Sequence, residues 1–92
     1  MAEEQLTIEA QEALDELWAE QIIQFKLAGR KVEAGGEPGH YTFHFFDPRI
    51  PSLFIYWNPG KESFKTAVRE VVGRTVGKRS RAKSAGHSLG AH

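Results

Sequence analysis

Between Thr7 and Ile22, apolar side chains recur at Ala10, Ala13, Leu14, Leu17, Trp18 and Ile22, three and four residues apart. A helix completes a turn in about 3.6 residues, so this spacing gathers them on one face. Thr7 stands where an N-cap is needed, and Glu9 falls in the first turn, where a carboxylate meets the positive end of the helix dipole. The period then shortens to two. Ile23, Phe25 and Leu27 alternate with Gln24, Lys26 and Ala28, which predicts a half-buried strand over 23–28. Glycine and proline in "EAGGEPG" turn the chain. "HYTFHFF", residues 40–46, predicts a second strand, "DPRIP" a tight connection and "SLFIYW", residues 52–57, a third strand. Asn58 and Pro59 then predict an N-cap and first position of a second helix. Phe64, Val68, Val71, Val72 and Val76 form its apolar stripe, and Gly73 or Gly77 marks its end.

The expected fold is a two-layer α+β domain in the order helix, three-stranded antiparallel meander, helix. The links between strands are too short for parallel crossovers, and both helices need one sheet face on which to bury their stripes. The domain is expected over residues 1–77. Residues 78–92, "KRSRAKSAGHSLGAH", lack periodicity and are expected to form a flexible basic arm.

This arrangement leaves a sheet face uncovered. If Tyr41, Phe43 and Phe45 face the helices, then Thr42, His44 and Phe46 point away. The third strand splits in the same manner, Leu53, Ile55 and Trp57 against Phe54 and Tyr56. Either choice exposes rings, and exposed apolar patches mark interfaces. His44, Phe46, Phe54 and Tyr56 are therefore the candidate binding face. A second copy of the chain is the first expected partner, and single-stranded nucleic acid stacking its bases on the rings is the alternative.

Composition narrows the classes. Ninety-two residues support one modest core. The chain has no cysteine, which removes disulfides, thiolate metal ligands and cysteine nucleophiles. The longest apolar run is "LFIYW", far below the roughly 20 residues that span a bilayer. No membrane partner is expected. "MAEEQLT" lacks the basic and apolar succession of a secretory leader, which favours the cytoplasm.

Formal net charge is zero but unevenly distributed. Residues 1–20 hold seven acids and no base, whereas residues 61–92 hold eight bases and two acids. Lys61, Lys65 and Arg69 recur every four residues, and Lys78, Arg79, Arg81 and Lys83 follow in the arm. Such a ridge suits nucleic-acid phosphates. It equally suits a solvated helix face paired with Glu62 and Glu70, or two ends of the chain that neutralise each other.

The catalytic and metal motifs are thin. "GHSLGAH", residues 86–92, resembles the nucleophile elbow of serine lipases and esterases through Gly86, Ser88 and Gly90. The preceding "KRSRAKSA" is no buried strand, and no carboxylate follows Ser88. His40 and His44 lie four apart on a strand, about 13 Å at about 3.3 Å per residue, too far to share one ion. Asp47, His44 and Tyr56 sit near strand ends without a spacing that requires them to meet. The element order is also that of double-stranded RNA-binding domains, and "GEPGHYTFHF" is similar to the glycine, proline and histidine loop of that family. The resemblance implies shared topology. The acid-rich first helix and apolar third strand depart from the family pattern, so no RNA-contacting residues are carried over. The expected function is a small non-catalytic binding or regulatory module, without cofactor, that self-associates or binds a protein through the aromatic sheet face. The alternative is nucleic-acid binding by the second helix and the arm.

Overall fold

The computed structural model of the chain describes residues 2–75 and has the expected α+β order. Helix α1 spans Ala2–Ala19, strand β1 Gly29–Ala34, β2 His40–Phe45 and β3 Leu53–Tyr56. Helix α2 occupies residues 64–75 of the described chain. The strands form one antiparallel sheet in the order β1-β2-β3.

Helix α1 begins five residues earlier than the sequence predicts. Thr7 is therefore no cap; its hydroxyl donates to the Glu3 carbonyl at 2.8 Å. The first turn instead carries Glu3 and Glu4, which suit the helix N-terminus electrostatically. At the other end, Gln21 adopts φ 64°. Its N–H donates to the Trp18 carbonyl at 3.0 Å, and that of Ile22 to the Leu17 carbonyl at 2.9 Å. This is a Schellman closure with glutamine in the left-handed position that glycine usually takes.

The strand predicted over 23–28 does not form. These residues are an irregular link in which Ile23 is buried, Leu27 half-buried and Phe25 73% exposed. The first strand is instead "GRKVEA", whose one buried side chain is Val32. It starts at Gly29, where any Cβ would collide with the Phe43 ring. The hairpin to β2 closes through Gly35 N–H to the His40 carbonyl at 2.6 Å, with Gly39 at φ 82°.

The second helix also starts later than predicted. Asn58 and Pro59 open a turn in which the Asn58 carbonyl accepts from Lys61 and Glu62. Ser63 is the actual cap: its hydroxyl accepts from Thr66 N–H at 3.1 Å.

Both helices cover the same sheet face. Leu6, Ala10, Ala13, Leu14 and Leu17 of α1 and Phe64, Ala67, Val68 and Val72 of α2 enclose Val32, Phe43, Phe45 and Ile55. Among the described residues the core holds no buried polar or charged residue. Trp18 and Ile22, which the periodicity assigns to the buried stripe, are exposed. Trp18 takes the Lys26 ammonium over its ring at 5.2 Å.

Candidate functional site

With Phe43, Phe45 and Ile55 facing the helices, strand alternation turns Lys31, Glu33, His40, Thr42, His44, Phe54 and Tyr56 to the open face. This matches one of the two assignments that the sequence allows. Phe54 is 71% exposed, and Tyr56 and Phe46 are each 66% exposed. Phe46 lies just beyond β2, anchored by its N–H to the Ala28 carbonyl at 3.2 Å. At one end of the face, His40 meets Tyr56 edge-on, centroids 4.6 Å apart. Phe54, Tyr56, His40 and Thr42 line a shallow depression there.

The other end is polar, a feature the sequence reading missed. His44 Nε2 lies 2.8 Å from Glu33 Oε1, and Nδ1 lies 2.9 Å from Ser52 Oγ. Lys31 Nζ holds the second Glu33 oxygen at 2.8 Å. Lys31 and His44 face each other across β1 and β2, and Ser52 falls opposite His44 where the β2–β3 register continues. Cross-strand pairing thus assembles residues far apart in sequence, and no local motif announces them. Hydrogen bonds from Lys31, then His44, hold the Glu33 carboxyl below the usual carboxylate range.

A hydroxyl, an imidazole and a carboxylate in a row have the order of a nucleophile relay. Both bonds are satisfied if Nε2–H donates to Glu33 and Nδ1 accepts from Ser52. However, the carboxylate charge is already compensated by Lys31, so it is poorly placed to stabilise a developing imidazolium. The network is better described as a polar clasp across three strands. The trio Asp47, His44 and Tyr56 is not brought together: Asp47 is held by Arg49 at 2.9–3.0 Å, and Tyr56 packs on His40. Hydrogen bonds from the Arg49 side chain and then its backbone keep the Asp47 carboxyl below its ordinary range. His40 and His44 likewise have separate partners, His40 lying 3.7 Å from Glu37. No cluster suited to a metal ion occurs among the described residues.

The basic ridge is rearranged. Lys61 sits in the turn before α2, so it does not share a helical face with Lys65 and Arg69. The acids that engage the latter two are Glu16 on α1 and Glu20 just past its end, in place of the expected Glu62 and Glu70. Lys65 Nζ contacts Glu16 at 2.7 Å; Arg69 contacts Glu16 at 3.1 Å and grips both Glu20 oxygens at 2.7 and 3.0 Å. The Lys65 hydrogen bond lowers the Glu16 pKa, and that of Arg69 lowers the Glu20 pKa. Reciprocally, hydrogen bonding to Glu16 raises Lys65 and hydrogen bonding to Glu20 raises Arg69. Two cations of the basic half, Lys65 and Arg69, therefore meet two acids of the acidic half, Glu16 and Glu20, inside one protomer. Lys78, Arg79, Arg81 and Lys83, together with the Ser88 motif, lie outside the described residues.

No helix among the described residues is long and apolar enough to cross a membrane. Comparison with protein-family models, with curated proteins and with solved structures finds no match to this chain.

Proposed function

We propose that this chain is a small non-catalytic binding module that self-associates through its open sheet face. The observation that carries the proposal is the pair Phe54 and Tyr56, adjacent on that face and 71% and 66% exposed. Covering a large ring contributes roughly 1.5–3 kcal/mol, so shielding four such rings between two copies offsets much of the roughly 4–15 kcal/mol that association costs. The nucleic-acid alternative draws less support, because Lys65 and Arg69 are engaged by Glu16 and Glu20.

Phe54→Lys combined with Tyr56→Lys is expected to turn a dimer into a folded monomer, read by sedimentation equilibrium alongside helical circular dichroism. Both side chains point away from the core, so the fold survives the change. A parent protein that is monomeric at high concentration overturns the proposal. Retardation of oligonucleotides by the parent at low salt, abolished by neutralising Lys61, Lys65 and Arg69, would favour the alternative. Hydrolysis of an activated ester that is lost in Ser52→Ala would show the polar clasp to be catalytic.

A further inference from the structure

The two edges of the sheet are treated differently by the fold. Residues 31 and 33 of β1 pair with β2, which turns the backbone of Val32 and Ala34 outward. Helix α1 meets these outward groups with side chains spaced every four residues. Glu3 accepts from Ala34 N–H at 3.0 Å, Thr7 from Val32 N–H at 2.9 Å and Gln11 from Gly29 N–H at 2.7 Å. Gln11 also donates to the Leu27 carbonyl at 3.0 Å. The β1 edge is thereby closed to any incoming strand.

At β3 the parity is fixed by Trp57 N–H, which donates to the Gly39 carbonyl at 2.8 Å. Leu53 and Ile55 therefore bond inward to β2, and the N–H and C=O groups of Phe54 and Tyr56 point outward. Among the described residues nothing pairs with this edge, since β3 ends the sheet. β3 is short, four residues, but among the described residues its edge carries neither a charged side chain nor a proline within the strand. Residues 50–60, "IPSLFIYWNPG", include no charged side chain, and Pro51 and Pro59 lie outside β3, so neither removes an N–H from its outer edge.

We propose that β3 pairs antiparallel with β3 of a second copy about a twofold axis through Ile55, joining two sheets into one of six strands. This rests on the self-association proposed above but replaces stacking of the open faces with pairing of the β3 edges, in which the Phe54 and Tyr56 rings pack sideways across the seam. In this register Phe54 lies opposite the partner's Tyr56, and Tyr56 opposite the partner's Phe54. The four outward groups of each strand are satisfied by four backbone hydrogen bonds, and two Phe–Tyr pairs form across the seam on the open face. Axes one residue away recruit Ser52 or Asn58, which lie outside β3, and the Asn58 carbonyl already accepts from Lys61 and Glu62. A second copy is the occupant because an uncharged strand meets no like charge in its own image, whereas a charged peptide finds no counter-charge along it. With the other edge closed by α1, pairing stops at two copies and cannot run on into a fibre.

Amide hydrogen exchange, followed by NMR at concentrations above and below the monomer–dimer midpoint, tests this directly. The Phe54 and Tyr56 amides are expected to exchange roughly tenfold or more slowly in the dimer. The Leu53 and Ile55 amides, bonded to β2 in both states, serve as the internal reference. A dimer whose Phe54 and Tyr56 amides stay as fast as in the monomer overturns edge pairing and leaves face-to-face association standing. A chain that stays monomeric throughout overturns both.

Discussion

Gln21 holds the conformation that ends α1, and it does so against its own preference. A side chain at φ 64° brings Cβ close to the backbone, a cost of about 1–2 kcal/mol that glycine escapes. The cost is borne because the closure satisfies the Leu17 and Trp18 carbonyls and turns Ile23 into the core. Gln21→Gly is therefore expected to stabilise the fold by about 0.5–1 kcal/mol, part of the gain being offset by the freer unfolded chain. Urea denaturation checks this, and a loss of stability would mean that the Gln21 side chain makes a contribution of its own. The same residue explains why the first strand was misplaced in the sequence. Without glycine or asparagine, the helix end is unmarked, and the alternation of Ile23, Phe25 and Leu27 invites a strand. In the folded chain Ile23 and Leu27 are separate anchors of an irregular link, and Phe25 points to solvent.

At the level of elements, legibility follows locality. The stripe of α1 up to Leu17, the aromatic alternation of β2 and β3 and the α2 stripe from Phe64 to Val72 are periodic and lie where the period puts them, whereas Trp18 and Ile22 at the end of the predicted α1 stripe are exposed. β1 is not periodic: its place in the sheet rests on the α1 side chains that close its edge and on the room Gly29 leaves for Phe43. The polar clasp of Lys31, Glu33, His44 and Ser52 is equally invisible, because it depends on register between three strands. The charge asymmetry was visible and mutual neutralisation of the two ends was one of its readings, but which residues pair, Glu16 and Glu20 with Lys65 and Arg69, was not. Glu16 and Glu20 have carboxyl pKa values below the ordinary one, so their pairing with Lys65 and Arg69 favours the fold above about pH 4.3. That contribution is lost as pH falls through the depressed folded-state values and the carboxylates take up protons. Arg69→Met is expected to destabilise the protein at pH 7 and to approach the parent as pH falls and Glu16 and Glu20 become protonated, when urea midpoints are compared from neutral pH into acid. The pairs are exposed, so added salt should narrow the difference at pH 7 as well. A gap between variant and parent that persists unchanged in acid would assign the Arg69 effect to packing of its stem over α1.

For the whole molecule, the distribution of polar satisfaction matters more than the net charge of zero. One helix layer covers one sheet face, α1 closes one sheet edge, and Glu16 and Glu20 compensate Lys65 and Arg69 within the protomer. Among the described residues the β3 edge and the exposed rings of Phe54 and Tyr56 lie side by side on the sheet, apart from the exposed Trp18, Ile22 and Phe25 at the end of α1 and in the link after it. A surface left open in this manner links folding to association by mass action, since only the folded chain presents it. The melting temperature of the parent is therefore expected to rise with protein concentration. Each tenfold increase in concentration of an associating chain adds up to about 1.4 kcal/mol of apparent stability per association event. For a domain of this size that corresponds to a shift of a few degrees, given roughly 4–8 °C per kcal/mol for 60–100 residues and half of each association event per chain. The Phe54→Lys, Tyr56→Lys variant should melt at one temperature at every concentration, and at the dilute limit it should coincide with the parent, because both lysines lie outside the core. A parent melting temperature that is independent of concentration up to the millimolar range would place Phe54 and Tyr56 among ordinary solvent-exposed rings.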